Sequence, residues 1–438
     1  MKCTRWWIFG SVLVVLMGSI ATVHAAGFSI FEQGARAMAR SGAFTATASD
    51  PSAIFFNPAG LAFQTHAWQI YLGGTAILPD VSFEGMNPFP GNGITEDVKS
   101  RIFFPPTLYI TKGIHERVVI GIGVFSAFGL ATSWENPESF TGRHISYDSG
   151  ITTFSIQPTI AVRVSERFAI GAGVEIRAVD VHFNRFVEFF EPFTTRFIDI
   201  ARAELDSDLG WGVGFAAGFL YRLTDQVRIG FSYRHHMDVD LEGTSRLTLI
   251  PTGNPQLDAL LRAQIPAEPV PAQAPGFAFP KFLSFGIAIS PWETWDFEID
   301  INWAQWSRFE RIRLIIGETE TVLPENYDDV FNVRFGVEKR LNERWTILGG
   351  FLFDQNPVPV ESVDPVLPDA DRWGVNLGFQ FRSGPWTVDV AGLLLFFENR
   401  TVTPEDCSTP EAFQVCRHYY GTYKNFTTLV GVSIGYTF

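Results

Sequence analysis

Ser232, His236 and Asp238 fall on one parity of an alternating stretch. A hydroxyl, an imidazole and a carboxylate are the parts of a nucleophile, its base and an orienting acid. No nucleophile motif or oxyanion signature surrounds them, and such a triad is defined by geometry rather than by proximity, so hydrolysis is the weakest reading. Alternation also puts His235 and His236 on opposite faces of a strand, out of reach of one shared site. Arg228, Arg234 and Arg334 occupy the polar parity of their segments. They could hold a carboxylate of a ligand, but pairing with Asp238, Asp240, Asp296, Glu298 or Asp300 is the expected role. Two cysteines beside one imidazole, Cys407, Cys416 and His418, fall short of a closed tetrahedral zinc set. No metal or other cofactor is expected, and Cys407 and Cys416 most simply pair as a disulfide in an oxidising compartment.

The elements that must position these residues are strands. The last segment carries Phe426, Thr428, Val430, Val432, Ile434, Tyr436 and Phe438 on one parity, with small or polar residues and one leucine on the other. Period two is the signature of a strand. The pattern recurs at Val227–Arg234, Trp295–Trp303, Phe331–Glu338 and Trp373–Phe381. Large aromatics sit near the ends of the apolar parity, as in membrane girdles, and charges of both signs sit mid-strand on the polar parity, as in a wet lumen. A soluble β-sandwich would also alternate, but these two features favour an all-β, antiparallel transmembrane barrel, which must close because lipid offers no partner to an open edge.

Composition agrees. Lys2 and Arg5, the apolar run Trp6–Ile20 and the small-residue site Val23-His24-Ala25 form a secretory signal peptide over 1–25, with Ala26 as the new terminus. After it, no run reaches the roughly 20 apolar residues of a membrane helix, although 46% of the chain is hydrophobic and 15% aromatic. The formal net charge is −14 and grows more negative once the leader is removed, which argues against nucleic acid as a partner.

Strands are expected near 66–78, 101–113, 116–128, 149–164, 168–183, 209–223, 226–242, 281–290, 294–314, 329–340, 345–355, 371–382, 385–399 and 420–438, about fourteen in all. Short and long connections alternate, which puts short turns and both termini in the periplasm, and the long loops and the disulfide outside. Two long loops are greasy. In 184–208, Phe186, Phe189, Phe190, Phe193, Phe197 and Ile198 recur at spacings that suggest a short amphipathic helix broken at Pro192. In 243–280, Leu257, Leu260, Leu261 and Ile265 lie between Asn254-Pro255 and Pro266, again helix-like. Apolar loops in water usually mark a binding site. They could instead form a lid over the barrel mouth, but docking of a ligand is favoured. Residues 26–65 do not alternate, are rich in Ala, Gly and Ser, and are too weak in core to stand alone. The barrel lumen is their natural host.

Ala26-Gly27-Phe28, Gln33-Gly34-Ala35 and Asn57-Pro58-Ala59-Gly60 resemble the outer-membrane long-chain fatty acid transporter family, which includes importers of aromatic hydrocarbons. Phe104-Pro105-Pro106-Thr107-Leu108, Ile156-Gln157-Pro158, Ile229–Arg234, Trp303–Ser307 and Leu367–Arg372 extend the resemblance over the mature chain. It implies a fourteen-stranded barrel (66–438) with an N-terminal hatch (26–65) signed by Asn57, Pro58, Ala59 and Gly60, and Phe28 near a hydrophobic ligand pocket. It also implies that the two greasy loops form the first docking groove, and that the third strand is kinked so that ligand leaves sideways into the outer-membrane lipid. Gly121, Gly123 and Gly129 permit such a bend, and equally could be small residues facing the lumen. Passive transport of a hydrophobic small molecule is the expected function, with a general porin for polar solutes as the alternative. The terminal Phe438 with Tyr436, Ile434 and Val432 looks like the signal read by the barrel assembly machinery, and a monomer is expected.

Overall fold

The computed structural model describes residues 27–64, 67–191 and 196–438. The expected signal peptide (1–25), Ala26 and Phe193 lie outside the described residues. Fourteen wall strands follow in chain order: β1 Gln69–Gly85, β2 Pro106–His115, β3 Val118–Phe125, β4 Asp148–Arg163, β5 Phe168–Glu191, β6 Gly210–Arg222, β7 Val227–Arg234, β8 Phe282–Trp292, β9 Trp295–Ala304, β10 Val330–Arg340, β11 Trp345–Asp354, β12 Arg372–Ser383, β13 Trp386–Phe397 and β14 Gly421–Thr437. Each pairs antiparallel with the next. The ring closes where β1 pairs β14 from Gln69–Thr437 to Gly85–Gly421. Closure removes the free edges that an open sheet would present to lipid.

Side-chain exposure shows which solvent the wall faces. On β12, Trp373, Val375, Leu377 and Phe379 are 41–68% exposed, while the alternating Asn376 and Gln380 are 7% and 2% exposed. Apolar out and polar in is the reverse of a soluble sandwich, and it fits lipid outside and a polar lumen inside. Trp68, Trp292, Trp345, Trp386 and Phe438 project at the end that carries the short turns, an aromatic girdle.

Some strands end earlier than alternation suggested, and others run on. The expected strand 226–242 is interrupted at His235-His236 and resumes as Met237–Leu249. Because alternation fails at that break, the two imidazole rings lie 4.1 Å apart rather than on opposite faces. The expected strand 294–314 stops at Ala304, where the chain turns through Trp306–Arg308 to bury Trp306 completely. The loop 315–328 belongs instead to a hairpin of Arg311–Ile316 and Thr319–Pro324, turned at Gly317 with φ +58°.

No helix forms among the described residues of 184–208. β5 continues to Glu191 and pairs with the strand Arg196–Ser207. The register shifts at Val187 and Glu188, which face Ala201 and Asp199, so that Ile200 of the partner strand is the bulged residue. In 243–280 a helix does form over Pro255–Gln264, with the Asn254 side chain accepting from the N–H groups of Gln256 and Leu257. It tips a second ribbon, Met237–Leu249 paired with Val270–Phe279.

Residues 27–64 contain α1 (Ala35–Ala39), α2 (Ala53–Phe56) and a 3₁₀ turn over Pro58–Phe63. They lie within the ring, hydrogen-bonded to polar inward side chains of several strands. Alanine and glycine allow this close seating. A Cβ on Gly171 of β5 would stand 2.5 Å from the Ala59 nitrogen, and one on Gly230 of β7 would stand 2.1 Å from the Thr45 oxygen.

Candidate functional site

Three extended ribbons rise above the ring at the end of the long connections: β5 with 196–207, 237–249 with 270–279, and 311–316 with 319–324. Between them lies a cavity of about 720 Å³, in the size range of ligand sites, about 300–1,000 Å³. Its walls are chiefly aliphatic, including Val181, Leu205, Leu241, Leu247, Ile312 and Leu323, and Phe28, Phe277, Phe309 and Tyr327 also line it.

Phe28 is held by an aromatic cage. Its ring packs edge-on against Trp306 (4.7 Å between centroids), Phe309 (5.6 Å), Phe128 (5.9 Å) and Phe279 (6.1 Å). The Arg177 guanidinium lies over Phe128 at 4.5 Å and Phe279 at 4.9 Å. The preceding Gly27 N–H donates to Asp369 at 3.0 Å. Burial pushes Asp369 up to about 6, against the lowering influence of Arg372. A much smaller space, about 30 Å³, is bordered by Ser29, Ile30, Phe31 and Phe128.

The wall is incomplete beside Phe28. The β2–β3 ladder ends at the Leu108–Val124 pair, and the two sides meet again at Val98–Trp134. Between these points β3 breaks after Phe125 and resumes as Gly129–Ser133. The break carries one residue more than its β4 partner: Phe125 faces Ser155, whereas Gly129 faces Thr152. The N-terminal segment pairs with this break from inside, Ile30 N–H to Ala127 C=O and Gly129 N–H to Phe28 C=O. Outside it, Ile102 and Phe104 are 68% and 63% exposed. Glycine does not make the break. Cβ atoms on Gly121 and Gly123 would press on Ile54, and one on Gly129 on Ile30, each at 2.8–2.9 Å, so all three make room for the N-terminal segment.

The segment is anchored by charge as well as shape. Arg40, fully buried, reaches Asp296 (2.9 Å), Glu298 (3.2 Å) and Glu338 (3.2 Å), and Arg36 adds a second bond to Glu338 at 2.8 Å. Asp300 accepts from the N–H groups of Phe44 and Thr45 at 2.9 Å, and Glu298 from Ala46 at 2.6 Å. Asn57 donates to Thr45 C=O (2.8 Å) and Phe219 C=O (3.0 Å), and accepts from Ala59 N–H (3.2 Å). Pro58 starts the 3₁₀ turn, and Gly60 lies against Ala48.

The inward arginines singled out from the sequence are all engaged by the protein: Arg228 with Asp296, Arg234 with Glu175, and Arg334 with Asp354 at 2.8 Å. The Asp238 carboxylate is taken by Arg308 at 2.7 and 3.0 Å. Among the described residues no hydrogen bond joins Ser232 to His236. Cys407 and Cys416 are bonded to each other, Cα atoms 5.8 Å apart, so neither offers a free thiolate beside His418.

The greasy loop residues are not gathered into one groove. Phe186 is buried against Tyr147 and Arg202. Phe189, Phe190 and Phe197 stand exposed at the ribbon tip, next to the half-buried Ile198. On the helix Pro255–Gln264, Leu261 is buried, Leu257 is half-buried and Leu260 is 61% exposed. Ile265 alone of these described residues borders the cavity. The cage partners Phe128, Phe279 and Phe309 and the anchor Arg40 carry no motif of their own; only Trp306 lay in a recognisable run, Trp303–Ser307.

Comparison with known proteins follows this geometry. The chain is 23% identical over 395 residues to the long-chain fatty acid transport protein of Salmonella typhi, covering 84% of this chain and 87% of the relative. It is 22% identical over 403 residues to the protein of that name from Escherichia coli K12, with the same coverage. Its fold matches a Pseudomonas aeruginosa FadL homologue with TM-score 0.81 and 19% identity, over 94% of this chain and all of that one. The Pseudomonas putida toluene transporter TodX matches with TM-score 0.71 and 17% identity, over 92% and 98%. Residues 15–438 match the model of one family, and the chain belongs to it: the outer membrane protein transport proteins (OMPP1/FadL/TodX).

Proposed function

We propose that the chain carries hydrophobic molecules passively across the outer membrane, by way of the ribbon-lined cavity, the Phe28 cage and the break in β3. One observation carries the reading: Phe28, which lines the apolar cavity, lies in the short segment 28–30 that pairs with the break in the wall. Ligand partitions into the cavity from outside because apolar surface leaves water there, about 25 cal/mol per Å². Displacement of residues 28–30 opens the side of the barrel, and the ligand enters lipid without crossing the aqueous periplasm. Residues 27–64 act as the hatch, with Asn57, Pro58, Ala59 and Gly60 as its seat on β5 and β6. The exposed Phe189, Phe190, Phe197 and Leu260 offer first contact to ligand. In this reading the short turns and both termini face the periplasm, β14 addresses the chain to the assembly machinery, and the barrel works as a monomer. Relatives named as fatty acid and toluene transporters support the class of cargo.

The test is uptake of labelled long-chain fatty acid and of labelled toluene in a transporter-deleted host expressing this chain. At least one uptake should rise without a rise in leakage of small polar solutes. No rise in either, together with leakage of polar solutes, would give the general-porin reading its place.

A further inference from the structure

Two arginines brace the rims of the break, and one carboxylate holds both. Behind the break, the inward parity of β5 carries Glu175 and Arg177, and β7 sends in Arg234. Glu175 has no exposure to water. It accepts from Arg177 at 2.6 Å, from Ser155 Oγ at 2.7 Å and from Arg234. Among the described residues neither arginine pairs with another carboxylate, so one negative charge serves two positive ones.

The two guanidiniums lie over aromatic rings in different parts of the gate. Arg177 covers Phe128, the last residue of the break, and Phe279 of the cage. Arg234 lies over Phe125, which ends β3, at 5.5 Å, and over Phe55 of α2 at 4.6 Å. It also donates to the Phe55 carbonyl at 2.9 Å and to Gln157 Oε1 at 3.0 Å. Gln157 in turn donates to the Ile54 carbonyl at 2.8 Å. The break in the wall and the N-terminal segment are therefore tied through one side chain. A buried guanidinium is tolerated over a ring only while a partner answers its charge and its N–H groups. Without Glu175 the two like charges would repel across a medium of low effective dielectric, and each would leave its ring for water.

We infer that Glu175 is the positioning residue of the side gate: it keeps Arg177 on Phe128 and Arg234 on Phe125 and Phe55, so that break and hatch move as one body. This rests on the lateral-exit reading above and adds the part that keeps the exit shut at rest.

The test is hydrogen exchange on the full-length protein in a neutral amphipol, with hydrophobe uptake measured in cells carrying the same variants. Ile30 and Gly129 report the seam, because their N–H groups join the N-terminal segment to the break. Phe44 and Thr45, held by Asp300, report the rest of the hatch. Glu175→Gln should speed exchange at Ile30 and Gly129 about ten-fold or more, the scale of a lost hydrogen bond between charged groups. Phe44 and Thr45 should exchange as in wild type. Arg177→Met leaves Glu175 and Arg234 as a neutral pair and should loosen the same seam. Because Glu175 acts there through Arg177, adding Glu175→Gln to Arg177→Met should change seam exchange little further. Wild-type seam exchange in Glu175→Gln, an equal rise at Phe44 and Thr45, or additive effects in the double variant would overturn the inference. Unchanged seam exchange in Arg177→Met would overturn it as well, whether or not Glu175→Gln assembles. A loosened seam with hydrophobe uptake unchanged would keep the coupling and count against lateral exit.

Discussion

Asn57 spends its whole amide on the backbone: two donors to Thr45 and Phe219 carbonyls and one acceptor to Ala59 N–H, with no exposure to water. Asn57→Ala leaves those groups buried and unpaired, at about 1–3 kcal/mol. The expected outcome is faster amide exchange across residues 44–60 and reduced uptake, with the barrel still running as a folded, heat-modifiable band on gels. Uptake unchanged in that variant would remove Asn57 from gating. A second residue-scale prediction concerns Glu325, near Arg417 and Asp364 outside the ring. Its folded pKa, about 8, stands above the ordinary 4.5, so between those values the folded protein binds a proton that the unfolded chain does not. Stability from this group is therefore greatest at low pH and falls as pH rises from about 4.5 to about 8. Proteolysis of the surrounding loops (355–370 and 410–420) should speed up as pH rises toward about 8 and level off above it, and Glu325→Gln should flatten the dependence. An identical pH profile in that variant would refute the assignment.

At the scale of elements, the wall was legible because lipid and lumen impose opposite demands on alternate residues, and β12 and β14 spell this out over their whole lengths. What alternation cannot report is a change of partner. The ribbons above the ring pair with strands outside the wall, and the phenylalanines of 184–208, helix-like in spacing, lie on such a ribbon. At His235-His236 the chain leaves the wall pairing for a ribbon partner, and at Trp306 tertiary burial of one aromatic outweighs local pattern. The seat of the N-terminal segment was legible only as small residues: its partners, from Arg40 with Glu298 to Gly171 with Ala59, are far apart in sequence. That seat makes its own prediction. Gly171→Val suits a strand better than glycine does, yet its side chain would collide with Pro58 and Ala59 backbone. Cells carrying this variant should assemble the barrel and become permeable to small polar antibiotics. Unaltered antibiotic sensitivity would mean that the segment does not close the lumen.

The whole molecule is a closed ring whose lumen is occupied and whose side is interrupted. A filled ring explains why a wall of this size need not leak. The interruption explains how it can still pass a molecule that prefers lipid to water. The site was only partly visible beforehand: Phe28 and the third strand were indicated by resemblance, but the break proved to be Ser126–Phe128, where register rather than glycine content departs from the pattern. The register also supplies the decisive variant. Because the break holds one residue more than β4 opposite it, deleting Ala127 lets β3 run unbroken from Val118 to Ser133 and closes the side of the barrel. The measurement is uptake of labelled hydrophobe in a transporter-deleted host, wild type against the Ala127 deletion, at matched amounts of folded barrel. Loss of uptake in the deletion is the predicted result. Uptake equal to wild type would contradict lateral exit and send the ligand down the lumen instead.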